Sequence, residues 1–208
     1  MPKSEQGSSI PRVGQISPWK VLDAKYLYQD QWLQLRSETV LLPNGKKLAP
    51  FHTIECANWV IAIAINHEGK IILVEQYRHG VKHITLELPG GTFTDDTEVP
   101  EAAVKRELLE ETGYASSDWH YLGSSFLAAA RMTTRIYAYL AIDARKIADP
   151  TPDDGEIIVN REIPWTEFLT GMRSGRVTLH ETNHLAGLFQ LQLFAAKASD
   201  PRIRELLI

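Results

Sequence analysis

The sequence predicts a mixed α/β domain of the α+β kind, a sheet layered between helices, with a small antiparallel β extension ahead of it. Three observations carry this. Trp59 to Ile65 (WVIAIAI) is an unbroken apolar run, which suits a strand buried on both faces. Short β-rich stretches bounded by turn signals lie on either side of it. Helical stretches interrupt them without the regular strand–helix alternation of a doubly wound parallel sheet.

Residues 1–17 are polar, contain Pro, Gly and Ser, and read as a flexible tail. Residues 18–56 form the β extension. Its β-rich pieces are Tyr26 to Tyr28, Trp32 to Leu42 and Lys47 to Ile54, with Pro43-Asn44-Gly45 as a turn. Residues 57–208 form the main domain. After Trp59 to Ile65, His67-Glu68-Gly69 reads as a turn and Lys70 to Tyr77 as a second strand. Ile84 to Leu88 is a short strand ended by Pro89-Gly90-Gly91, and Thr92 to Thr97 is a polar loop. Pro100 to Thr112 is helical, with Pro at a permitted first position and Gly113 as its stop. Strands are expected at Trp119 to Phe126, Arg135 to Ile142 and Ile157 to Ile163, with a Pro/Asp-rich loop at Asp149 to Gly155. Trp165 to Ser174 and Glu181 to Lys197 read as helices.

Composition narrows the function classes. The 208 residues include 44% hydrophobic and 23% charged, ordinary for a soluble globular chain. Net charge is −4 and the pI is near 6.0, so a duplex nucleic acid is not the favoured partner. A small anionic substrate stays open, because a bound cation can reverse the local field. Cys56 is the only cysteine, which leaves no internal disulfide and no cysteine zinc site. There is no signal-like N-terminus and no apolar run near the ~20 residues that span a bilayer. A cytoplasmic protein without membrane contact is expected.

The segment from Gly91 to Tyr114, GTFTDDTEVPEAAVKRELLEETGY, carries the chemistry. Glu107 and Glu111 are four residues apart and share a helix face, and Glu110 lies three from Glu107. Like charges so spaced destabilise a bare helix, and a hard divalent cation such as Mg²⁺ reverses that penalty. Arg106 stands beside them and can orient one carboxylate. A solvated acidic face is the plain alternative for three glutamates taken alone.

Arg106-Glu107-Leu108-Leu109-Glu110-Glu111-Thr112-Gly113-Tyr114 resembles the second half of the Nudix box, R-E-U-x-E-E-x-G-U. Glu98 stands eight residues before Arg106, as the box requires. The upstream glycine departs from it: six residues separate Gly91 from Glu98 instead of five, and Thr92 holds the expected glycine position. This reads as a one-residue insertion in the Thr92–Thr97 loop. Val99 sits where the family often has a capping Ser, leaving Thr97 or Glu98 to cap. Val74-Glu75-Gln76-Tyr77-Arg78 and Glu87-Leu88-Pro89-Gly90-Gly91 resemble the ADP-ribose and nucleoside diphosphate sugar pyrophosphatase-like branch.

That resemblance implies a Nudix fold and Mg²⁺-dependent (or Mn²⁺-dependent) cleavage of a nucleoside diphosphate joined to another group. It implies Glu107, Glu110 and Glu111 as metal ligands and catalytic residues, with the Gly90 carbonyl as a backbone ligand. It places the base on a loop after the box, where Glu156 is the first candidate beside Asp153 and Asp154; Glu107 or Glu110 are alternatives. Arg78 matches a substrate-binding position, with Glu87 beside it in the binding set; a structural Arg78–Glu87 pair is the alternative. Trp32 and Trp59 are candidates to stack on a base or sugar, against the commoner core role. Phe51-His52 and Ala128-Ala129-Ala130 stand where ADP-ribose hydrolases often carry an Arg-Glu pair and a proline, so GDP- and UDP-sugars are rivals. His180 and His184 have a metal-compatible spacing, with surface or interface histidines as the alternative. The branch implies a homodimer through the N-terminal strands. A nucleoside triphosphate pyrophosphatase and a non-catalytic ligand-sensing regulator are the competing functions.

Overall fold

A computed structural model describes residues 16–207 except 95, 97 and 154. The Thr97 cap, the Asp154 base and residues 1–15 of the expected tail lie outside the described residues. The chain divides into two compact units between Ile54 and Glu55.

The first unit is a three-stranded sheet in the order β1 (Lys20–Gln29), β2 (Gln34–Leu41), β3 (Lys47–Glu55). β1 and β2 pair antiparallel, Tyr26 opposite Arg36, with irregularities at Val21/Asp23 and Tyr26/Tyr28. The expected turn closes on Gly45, whose N–H donates to the Leu42 carbonyl at 2.9 Å. All ten residues of β1 are exposed, Trp19 just before it included, so the unit brings little core of its own.

The second unit is built on β4 (Asn58–Asn66), the expected apolar strand. Its alternation sorts two cores. Ile61, Ile63 and Ile65 face one cluster with α2 (Trp165–Ser174) and α3 (Thr182–Ala195). Val60, Ala62 and Ala64 face the other with α1 (Pro100–Thr112), where Ala62 and Ala64 join Ala103, Val104 and Leu108. Small side chains on that face let the acidic helix come close to the sheet. The sheet therefore lies between helices, as expected.

Its order is β11 (Ile158–Pro164), β5 (Lys70–Arg78), β4, β10 (Arg135–Lys146), β8 (Tyr114–Ala115), with β9 (Asp118–Phe126) also on β10. Among the described residues only β10 and β4 pair in parallel, which makes the sheet mixed. β4 and β5 pair at Ala64–Ile72 and Ile65–Ile71 and then separate. Into the gap run β6 (His83–Glu87) on β5 and β7 (Gly90–Phe93) on β4. This wedge positions the site.

Three sequence expectations change here. Thr92 and Phe93 belong to β7 rather than to a polar loop, because Phe93 is buried in the α1-side core and pairs with Asn58. Val99 is the N-cap of α1 and its own side chain makes no capping bond; Glu98 gives its carboxylate to Arg106. The short β8 and α4 (Pro201–Arg204) were not expected, and neither has a run long enough for a periodic signal. No helix among the described residues is long and apolar enough to cross a membrane.

Candidate active site

The site begins with the approach of β7 to β4. A Cβ on Gly90 would lie 2.1 Å from the Val60 carbonyl oxygen, so only glycine allows this contact. The Gly90 N–H then donates to Glu111 Oε2 at 2.8 Å, joining the wedge to α1. At Gly91 a Cβ would meet the Glu107 carboxylate within 2.5 Å, so the missing side chain leaves that carboxylate its space.

α1 ends at Gly113, whose N–H bonds to the Leu109 carbonyl at 2.8 Å. Leu108 and Val104 anchor one side of the helix in the core, which turns Glu107, Glu110 and Glu111 towards the wedge. Their exposures differ: Glu111 is buried, Glu107 nearly so, and Glu110 has 40% of its side chain exposed. Arg106 gathers the neighbouring acids, donating to Glu98 at 3.0 Å, Glu107 at 2.9 Å and Glu110 at 2.8 Å. Among the described residues Glu111 accepts from no such cation, and Arg78 acts on it only through space.

The electrostatic result is an acidic cluster short of positive charge. Burial pushes the Glu107 carboxyl up to about 7, against the pull of Arg106 and with help from Glu110 and Glu156. Burial also pushes Glu111 up to about 9, against the Gly90 N–H and with help from Glu107, Glu156 and Glu87. Hard oxygen donors whose charged form is disfavoured by burial and by neighbouring acids fit a divalent cation of the Mg²⁺ type.

The later loop reaches the same place. The Thr151 N–H donates to the Glu110 carbonyl at 2.7 Å, which fastens the start of the loop to α1. Asp153 and Glu156 thereby line a cavity of about 190 Å³ together with Trp59, Arg78, Arg106 and Glu107. A larger cleft of about 730 Å³, with Asn66, His67, Trp165 and Arg202 in its wall, contains none of these carboxylates.

Arg78 forms a two-pronged pair with Glu87, Nε to Oε1 at 2.9 Å and Nη2 to Oε2 at 2.7 Å. Its guanidinium lies 5.5 Å from the Trp59 ring centroid. Arg78 thus has both the structural partner and the cavity position that the sequence offered as alternatives. Glu87 is 1% exposed and also accepts from Thr85 and Gln76, so it acts on Arg78 from behind the cavity wall. Trp59 is half-buried at the cavity, whereas Trp32 is exposed on the first unit.

His180 and His184 do not converge. His180 precedes α3, so helical spacing does not apply to it, and it meets the His83 ring instead, at 5.2 Å. His184 is a buried residue, not a surface one, and lies with Glu181 and Glu87. Sequence reasoning passed over Glu181, although its place three residues before His184 was a usable signal.

A sheet wedged open beside a glutamate-bearing helix defines an acidic site suited to a hard cation, and comparison with known proteins bears on its class. The NUDIX domain model matches residues 57–181, and the chain belongs to the Nudix hydrolase family. A second model, the nucleoside diphosphate sugar hydrolase N-terminal domain, matches residues 19–54. The chain is 27% identical to a methanol dehydrogenase activator of Bacillus methanolicus, over 86% of this chain and 97% of that one. It is 25% identical to an ADP-ribose pyrophosphatase of Bacillus subtilis, over 83% and 93%. It is 27% identical to a GDP-mannose pyrophosphatase of Yersinia pestis, over 65% and 71%. A crystal structure of an ADP compounds hydrolase superposes with a TM-score of 0.73 at 17% identity, covering 88% of this chain and 97% of that one, which bears out the fold.

Proposed function

We propose that the protein hydrolyses the pyrophosphate bond of a nucleoside diphosphate joined to another group, with ADP-ribose or another nucleoside diphosphate sugar as substrate and Mg²⁺ (or Mn²⁺) as cofactor. The products are a nucleoside monophosphate and a sugar phosphate. One observation carries this: Glu107 and Glu110 line a small cavity that has Arg78 in its wall, and buried Glu111, held by the Gly90 N–H, stands on the same helix beside them. The names of the relatives support the substrate class.

Glu107, Glu110, Glu111 and the Gly90 carbonyl hold the metal in this reading. A divalent cation bound there would neutralise phosphate charge and acidify a water. Arg78, held flat by Glu87, binds a phosphate of the diphosphate. Glu156, carried in by the loop fastened to α1, accepts a proton from the attacking water. The water oxygen bonds to phosphorus and the bridging oxygen leaves with the other phosphate. Arg106 keeps the outer acids in place so that Glu111 and Glu107 face inward.

We also infer a homodimer through residues 18–56, supported by the exposed apolar side chains of β1, and a cytosolic setting, supported by the lone Cys56. A panel of ADP-ribose, GDP-mannose, UDP-sugars and nucleoside triphosphates with purified protein and Mg²⁺ tests the reaction. Turnover of a nucleotide sugar with release of the nucleoside monophosphate supports it. Preference for triphosphates, or binding without turnover, would replace it with the triphosphate pyrophosphatase or the ligand sensor.

A further inference from the structure

Behind Arg78 lies a buried polar cluster that the reaction as described does not use. His184, on the first turn of α3, is 1% exposed, as is Glu87. Its Nδ1 accepts from the Leu88 N–H at 3.3 Å. Its Nε2 stands 3.4 Å from Glu181 Oε2 and 3.9 Å from Glu87 Oε2, with a full hydrogen bond to neither. Glu181 is the N-cap residue of α3 but caps nothing with its side chain; its Oε1 lies 3.9 Å from Arg78 Nε.

Carboxylates and an imidazole this close can suggest a metal site. The hydrogen bonding points elsewhere. A neutral imidazole that binds metal through Nε2 carries its proton on Nδ1, and here that proton would oppose the Leu88 N–H. With Nδ1 accepting, the proton belongs on Nε2 and points between the two carboxylates. Both Glu87 oxygens are already engaged by Arg78. Buried ionic clusters of this kind seldom add stability over apolar packing, so a role in holding geometry accounts better for it.

We propose that His184 is a positioning residue of the diphosphate site: its protonated Nε2, set by Leu88, lies 3.4 Å from Glu181 and 3.9 Å from Glu87 and by its N–H dipole keeps both carboxylates in the arrangement that aims the Arg78 guanidinium into the cavity. The last long helix thereby takes part in substrate binding without touching substrate. This rests on the reading of Arg78 as a phosphate ligand.

The test uses amide substitutions that separate the two imidazole nitrogens. His184→Asn keeps an acceptor near Leu88 and loses the Nε2 donor; His184→Gln keeps a donor near the carboxylates and loses the Leu88 acceptor. Affinity for the α,β-methylene analogue of ADP-ribose with Mg²⁺ is measured by calorimetry for the full chain, with melting temperature beside it. Arg78→Ala and His184→Asn should each weaken binding about tenfold, and His184→Gln much less. His184→Asn in the Arg78→Ala background should add nothing further, because both act through one guanidinium. Additive losses, or losses that follow melting temperature alike in both amides, overturn the proposal. So does Zn²⁺ bound one per chain and lost in His184→Asn. If Arg78→Ala weakens binding and His184→Asn does not, the inference alone fails. If Arg78→Ala has no effect, or the wild-type protein binds no analogue, the reading of the site fails first.

Discussion

Glu111 has almost no water around it and one backbone N–H for company, and its chemistry follows from that. Burial pushes its carboxyl up to about 9, and that of Glu107 up to about 7, from the ordinary glutamate value of 4.5. A carboxyl raised in this way contributes stability fully below about pH 4.5, and the contribution is lost as pH rises through 7 and then 9. The metal-free protein should therefore melt at falling temperature across that window. Mg²⁺ should raise the melting temperature far more near its alkaline end than near its acid end, with protons released on binding. Equal Mg²⁺ shifts at every pH would remove these groups from the metal site. Glu111→Gln imitates the protonated acid, so in EDTA it should melt no lower than wild type above neutral pH. Its turnover should fall by about 10²–10³-fold or more, as on loss of a preorganised charge-stabilising group. A folded variant with unchanged turnover would show the ligand set to be misassigned.

At the scale of elements, the wedge of β6 and β7 between β4 and β5 is the feature that function depends on. Gly90→Ala would drive a methyl into the Val60 carbonyl, and an overpacked contact of that sort costs about 1–3 kcal/mol. Because the same residue holds Glu111, Mg²⁺ affinity should fall along with the unfolding free energy, which denaturant titration with and without the ion would separate. The loop after β10 is the second such element. It is fastened by Thr151 to Glu110, and it brings Glu156 to the cavity. Glu156→Gln should lower kcat about 10²-fold or more while leaving Mg²⁺ binding close to wild type. A normal kcat in that variant would pass the role of base to Asp153 or to a box glutamate. Both elements were partly legible. Pro89-Gly90-Gly91 announced a turn, but the strand that follows it was not seen, since Phe93 is drawn into β7 by the α1-side core and not by local pattern.

For the whole molecule, the two units differ in how they bury themselves. The second encloses two cores on the faces of one sheet. The first, whose described residues include no helix, leaves Trp19, Tyr26, Leu27 and Tyr28 about half exposed. Sheets of this size need a partner surface for stability, and the proposed homodimer supplies one. Sedimentation equilibrium should give twice the chain mass of 23.5 kDa, and charged residues at Tyr26 and Tyr28 should shift it towards one. A stable wild-type monomer would remove the dimer and leave the hydrolase reading untouched.

The amino-acid sequence alone determined what depends on short spacings. The i,i+4 relation of Glu107 and Glu111, the proline and glycine that bound α1, and the unbroken apolar run WVIAIAI each lie within a few turns or residues. Periodicity of that kind is a property of the local backbone, so it can be read without a fold. Tertiary structure decided which glutamate is buried, that Arg78 is held by Glu87 while lining a cavity, and that His184 lies inside, not at the surface. Leu88 and His184 are 96 positions apart, and Gly90 and Glu111 are 21 apart. Such pairs form only when chain folding brings distant elements together, and no spacing rule encodes them.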